Sequence, residues 1–155
     1  MRIEKRVAQT LMKAKKTLSL AESCTGGLVS HRLTNIPGSS QFLKVAVIVY
    51  SNDAKIKLLK VPAKMLKTYG AVSPQAALKM AQGVRKIHNT DIGLAITGIA
   101  GPSGATKSKP VGLTFIAIST KSKHQCQKYR FKGSRAQIKS QAATKALQLL
   151  LKDFL

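Results

Sequence analysis

Three short apolar runs, Leu18 to Ala21, Phe42 to Tyr50 and Ile92 to Ile96, each break straight into a polar segment, and helix-length stretches lie between them. Runs this short and rich in Val, Ile and Leu read as strands. Between and around them the chain carries helix signals. Ile3, Val7 and Leu11 form an i, i+4, i+8 stripe within residues 3–16. Leu28 to Asn35 lies between Gly26-Gly27 and Pro37-Gly38 and reads as a helix. Asn52 is expected to cap the helix that follows the second run. Pro62 to Tyr69 is stopped by Gly70, and Ser73-Pro74 opens a helix running to about His88. Val111 to Thr120 and Gln125 to Phe131 predict a hairpin, and Ser134 with Gln137 predicts a capping box for a last helix bearing Ile138, Ala142, Leu149, Leu150 and Phe154.

Strands alternating with helices imply a single-domain layered α/β/α fold over residues 1–155, with a mixed, mostly parallel sheet. Phe42 to Tyr50, nearly continuous in apolar character, is expected to be a central strand buried on both faces. Hydrophobic residues at 44% exclude a disordered chain, and aromatics at only 5% with no Trp leave an aliphatic core. The longest uncharged apolar run, Val45 to Tyr50, is far too short to cross a bilayer, and the charged start at Arg2, Glu4, Lys5 and Arg6 has no leader pattern. A soluble, cytoplasmic protein with no membrane association is the expectation.

Lys and Arg total 27 against 5 Asp and Glu, a net charge of +22. Such an excess makes nonspecific nucleic-acid binding a reading to weigh. Only six of the 27 are Arg, the side chain on which base reading leans, and the 21 Lys are spread over every segment without interleaved aromatic platforms. A solvated basic surface that attracts an anionic small substrate is the simpler reading. Cys24 and Cys126, like His31, His88 and His124, are isolated, so neither a disulfide framework nor a metal site is expected, and no cofactor is called for.

Each predicted strand opens into a polar segment: Glu22-Ser23-Cys24-Thr25-Gly26-Gly27, Tyr50-Ser51-Asn52-Asp53-Ala54-Lys55, and Thr97-Gly98-Ile99-Ala100-Gly101-Pro102-Ser103-Gly104, the last beginning a long loop to Pro110. Strand ends of this kind line one edge of an α/β sheet, where ligands bind. Ser23 ahead of two glycines suits a nucleophile with backbone N–H groups nearby for an oxyanion. No His lies in these segments, so Lys55 is the candidate base, its ammonium disfavoured by burial and by the helix start. Taken singly, Ser23 is equally a helix cap, Lys55 one of 21 lysines and the glycines turn formers. Cys24 reads as a small buried residue, and the third loop lacks the Gly-Lys-Ser/Thr ending of a nucleotide-triphosphate loop.

Together with Pro37-Gly38-Ser39-Ser40, Gly70-Ala71-Val72-Ser73 and Lys109-Pro110-Val111-Gly112, these segments resemble, in order and over nearly the whole chain, the CinA carboxy-terminal domain family. That family includes nicotinamide-nucleotide amidases, which hydrolyse the carboxamide of nicotinamide mononucleotide to nicotinate mononucleotide and ammonia. The resemblance implies that Ser23, in A-E-S-C-T-G-G, is the nucleophile and Lys55, in Y-S-N-D-A-K, the general base. It further implies that Thr25, Gly26, Gly27, Tyr50, Ser73, Thr97, Gly98 and Gly101 surround the pocket, and that Arg135 meets the substrate phosphate. A stand-alone homodimer without metal or organic cofactor is implied as well. The sequence departs from the family at Ser103, where G-P-D-G-G is usual. If the missing Asp shapes the turn, Ser103 replaces it through a local hydrogen bond, which is the expectation; if it orients substrate, activity suffers. Two rivals follow: a nucleic-acid-associated or competence-linked binding protein, and a catalytically silent ligand-binding homologue.

Overall fold

The computed structural model describes residues 1–155. In chain order the elements are α1 (Ile3–Ala14), β1 (Leu18–Glu22), α2 (Leu28–Thr34), β2 (Leu43–Ile48), α3 (Asn52–Leu59), α4 (Ala63–Tyr69), α5 (Pro74–Ile87), β3 (Ile92–Gly98), β4 (Leu113–Ser119), β5 (His124–Arg130) and α6 (Arg135–Asp153). The five strands make one mixed sheet in the order β2-β1-β3-β4-β5. β2, β1 and β3 run parallel, and the β4–β5 hairpin extends the sheet antiparallel from β3. The predicted layered α/β class is therefore what the chain adopts.

One placement differs from the sequence expectation. The Phe42–Tyr50 run is not a central strand: β2 pairs with β1 alone, at the edge of the sheet, and its residues alternate half-buried and exposed. Val45 and Val47 pack inward, while Ile48 on the other face is 53% exposed. An unbroken apolar run signals two apolar faces but does not supply a helix to cover both. The interior strands are β1 and β4, each buried along its whole length, with β3 between them. A second correction is local: α3 is capped by Ser51, whose Oγ accepts from the Ala54 N–H at 3.0 Å, and Asn52 is the first helical residue. The cap at Ser73 and the Ser134–Gln137 capping box form as expected.

Two cores cover the two faces. α1, α2 and α6 enclose large aliphatics of the sheet, among them Leu20, Leu94, Ile96, Ile116 and Ile118. The opposite face presents Ala21, Ala95 and Ala117, and there α5 lies against the sheet with its own Ala76, Ala77 and Ala81. Small residues on both sides bring backbone against backbone. A Cβ added at Gly93 would stand 2.2 Å from the Ala81 carbonyl oxygen, and one at Gly83 2.2 Å from that of Leu59. This seating of α5 puts Ala71 and Val72, just before its start, beside the ends of β1 and β3. Because backbone cannot yield as a side chain can, Gly93→Ala is expected to lower stability by about 2 kcal/mol in urea denaturation.

Candidate active site

β1 and β3 end at the same edge of the sheet as the exit from β2, and the three polar segments meet there around a cavity of about 240 Å3. Backbone bonds lock the ends together: the Ser23 N–H donates to the Ile96 carbonyl at 3.1 Å, and the Val49 N–H to that of Glu22 at 2.9 Å. Of the residues picked from sequence, Ser23, Tyr50, Lys55, Thr97, Gly98, Gly101 and Arg135 line this cavity. Thr25, Gly26, Gly27 and Ser73 do not; Ser73 caps α5, its Oγ donating to the Gly70 carbonyl and accepting from the Ala76 N–H.

Lys55 occupies the first turn of α3 and is 1% exposed, although its side chain ends in an amine. Nζ lies 2.8 Å from the Val49 carbonyl oxygen and 3.1 Å from Ser23 Oγ, with no carboxylate bonded to it. Burial pushes its pKa below the ordinary lysine value, and the nearby Cys24 opposes that shift more weakly. A neutral amine has two N–H donors and one lone pair. One N–H satisfies Val49, which leaves the lone pair to accept the Ser23 hydroxyl proton. Burial of the neighbouring Cys24 lifts its thiol to about 11, so the sulfur beside Ser23 stays protonated near neutrality.

The carboxylate nearest this pair is turned the other way. Glu22, 2% exposed, accepts at Oε2 from the Thr25 hydroxyl, the Gly27 N–H at 3.2 Å and the Val29 N–H at 3.1 Å, and at Oε1 from the Ser30 N–H at 2.8 Å. A negative group at the start of α2 thereby engages the helix's orphan donors. It also changes the expected oxyanion donors. The Gly27 amide is held by Glu22 and the Gly26 amide by the Ser23 carbonyl at 3.0 Å. The Cys24 and Thr25 amides are the ones in the turn with no protein acceptor.

At the rim, Arg135 opens α6, donating from Nη1 to the Gly101 carbonyl at 2.6 Å and from Nη2 to the Tyr50 hydroxyl at 2.8 Å. It ties the third loop to the exit of β2 across the pocket mouth. Thr97 Oγ1 donates to the Ala71 carbonyl at 2.8 Å, fixing the wall before α5. Gly98 has no room for a side chain: a Cβ would stand 2.7 Å from Thr114 Oγ1 and 3.2 Å from Cys24 Sγ. Ser103 faces the cavity, and its side chain makes no hydrogen bond, so the local turn bond expected of it is not formed. No three His, Cys, Asp or Glu side chains stand close enough to hold a metal ion.

The CinA C-terminal domain family matches residues 1–154. The chain belongs to that family. Among curated relatives, the CinA-like protein of Syntrophotalea carbinolica is 51% identical over 144 residues, covering 93% of this chain and 35% of its own length. The CinA-like protein of Syntrophus aciditrophicus is 48% identical over 154 residues, covering 99% of this chain and 36% of its own. The chain thus spans about a third of those relatives. Among solved structures, the competence/damage inducible protein CihA from Agrobacterium tumefaciens superposes with a TM-score of 0.94 at 36% identity, over 96% of this chain and 92% of that one. A competence damage-inducible protein A from Klebsiella pneumoniae gives 0.94 at 28% identity over 99% and 97%.

Within this CinA domain, sequence reasoning had no role for Glu22, Ala71 or Val72 and gave Asn52 only that of a helix cap; all four shape the cavity or the turn beneath Ser23. Glu22 had one legible signal: a lone acid ending an otherwise apolar strand, three residues before a Thr and five before a Gly.

Two outcomes test this geometry. Glu22→Ala strands three buried or half-buried amides and is expected to cost about 3 kcal/mol or more in chemical denaturation. For Lys55, the unfolded chain holds the extra proton between the lowered folded-state pKa and the ordinary value, so its burial penalty is full at low pH and fades as pH rises towards 10.5. Lys55→Met should therefore stabilise the domain relative to wild type most below the folded-state pKa, and the difference should shrink steadily as urea melts are repeated up to pH 10.5.

Proposed function

We propose that the chain is an amide hydrolase acting on nicotinamide mononucleotide, with Ser23 as nucleophile and Lys55 as general base. One observation carries the reading: a 1% exposed amine, bonded to no carboxylate, 3.1 Å from a serine hydroxyl at the end of a strand. Lys55 takes the Ser23 proton as Oγ attacks the carboxamide carbon. The Cys24 and Thr25 amides, free of protein acceptors, are read as the donors to the oxyanion in place of Gly26 and Gly27. The proton passes from Lys55 to the leaving nitrogen, ammonia departs, and water deacylates the ester with Lys55 again as base. No step calls for a metal or organic cofactor.

The substrate class is supported by the resemblance of the three motifs and by charge. A cavity of about 240 Å3 suits the pyridine end of the molecule, which leaves the phosphate towards Arg135 at the rim. Arg135 donates from Nη2 to the Tyr50 hydroxyl at the rim and keeps further N–H groups free to meet the phosphate there. Ser103, with a free hydroxyl in the cavity, is the one observation favouring the rival in which the pocket binds ligand without turning it over. The proposal also includes the homodimer implied by the resemblance and the cytoplasmic setting expected from the sequence; no helix of the chain is long and apolar enough to cross a membrane.

The test is ammonia release from nicotinamide mononucleotide by the wild-type chain, Ser23→Ala and Lys55→Ala. Wild-type turnover is expected, with losses of roughly a thousandfold or more in each variant. kcat/KM should rise with pH through one ionisation lying below the ordinary lysine range. Undiminished turnover by Ser23→Ala would refute the mechanism, and calorimetric binding of the mononucleotide without ammonia release would assign the silent-homologue reading instead.

A further inference from the structure

The opposite end of the sheet holds a second cavity, of about 670 Å3, which shares no residue with the first. It lies between the start of β1, the end of α5, the start of β3 and the β4–β5 turn. Lys16, Arg85 and Lys121 bring three positive charges to its wall and Asp91 one negative charge. Asp91 is already engaged: Oδ2 accepts from the Thr17 N–H at 2.8 Å and its hydroxyl at 2.9 Å, and Oδ1 accepts from Lys16 at 3.4 Å.

Arg85 consequently has no carboxylate. Its one protein acceptor is the Thr90 carbonyl, a long 3.4 Å from Nη1, and its Nε is the single buried side-chain polar atom in the molecule without a partner. Two other arginines near cavities or helix contacts differ. Arg32 pairs with Glu4 and Thr144, and Arg135 with Gly101 and Tyr50. A guanidinium has five donors in a fixed fork that matches phosphate oxygens. Here that fork is half-buried, and its stem is pinned where a Cβ at Gly93 would meet Arg85 Cβ at 2.8 Å. A buried unpaired donor beside an uncompensated excess of positive charge in a recess makes a site that an anion completes.

We propose that this second cavity binds a small phosphate-bearing anion, with Arg85 and Lys121 as its principal donors and Asn89 and Ser122 as neutral partners. The recess is bounded by four elements instead of running along a face, which fits a compact oxyanion and not a polynucleotide backbone. The proposal is independent of the amidase reading, because binding is read directly and not through turnover.

Inorganic pyrophosphate and a phosphomonoester, ribose 5-phosphate, are titrated calorimetrically into the full chain at constant ionic strength set with sodium chloride. Wild type is expected to bind at one site. Arg85→Gln should weaken binding roughly ten- to a hundredfold and Lys121→Ala roughly severalfold. Lys44→Ala, which removes an exposed charge on β2, should bind as wild type does. The preferred ligand distinguishes a diphosphate from a monoester source. Equal weakening by Lys44→Ala and Lys121→Ala would overturn the proposal in favour of diffuse surface attraction, as would wild-type affinity in both cavity variants. If Arg85→Gln fails to fold in a thermal melt, the comparison of the two exposed lysines decides alone. Tighter binding of a DNA duplex, lost in Lys44→Ala as much as in Lys121→Ala, would equally overturn it.

Discussion

A lysine amine enclosed by protein with only a carbonyl and a hydroxyl for company is the constraint around which the site is organised. Its solvation energy is lost on folding, and no countercharge restores it, so its pKa is pushed below the ordinary lysine value. That outcome depends on helix phase. Ser51 caps α3 immediately after β2 leaves the sheet, which sets the fourth helical residue, Lys55, to fold back beneath Val49 and towards the end of β1. The Val49 carbonyl matters as much as the serine. By accepting a hydrogen bond from one amine N–H it orients the rest of the amine towards Ser23.

The second requirement is that negative charge be kept away from that amine. The chain has five acids, and each is engaged elsewhere: Glu4 with Arg32, Asp53 with Lys57, Asp91 with Thr17 and Lys16, Asp153 with Gln125, and Glu22 with the turn below Ser23. Glu22 is the one that borders the site. Its four hydrogen bonds with the start of α2 hold the carboxylate on the far side of the nucleophile turn. A carboxylate swung towards Lys55 would restore the ammonium and remove the base. The same residue thus builds the turn that carries Ser23 and keeps its charge from the amine 3.1 Å from that hydroxyl.

Much of this was legible in the sequence, for identifiable reasons. Strand ends are marked by abrupt loss of apolar character and helix starts by Ser and Pro, so the meeting of Ser23, Lys55 and Thr97 at one edge followed from topology. β2 was misplaced because hydrophobicity along a strand does not say which neighbours exist, and its outer face at Ile48 is left uncovered. Gly26 and Gly27 were read as free donors because local sequence does not show that the Glu22 carboxylate folds over the Gly27 amide or that the Ser23 carbonyl takes the Gly26 amide. Ser103 was given a turn bond that only the loop's actual path could deny.

Other determinants leave no local signature at all. α3, which carries Lys55, rests on α5 at Gly83, where the Leu59 carbonyl oxygen occupies the place of a side chain. α5 in turn rests on the sheet at Gly93 against Ala81. How deep Lys55 lies is therefore set by two glycines that themselves touch neither the nucleophile nor the cavity. A methyl group at Gly83 would lift α3 away from the sheet edge and admit water to the amine. The lysine would then recover its ordinary pKa while keeping its sequence neighbours intact. The chemistry of the pair is in this sense a property of the packing of α5, and a motif retained without those glycines would not retain it.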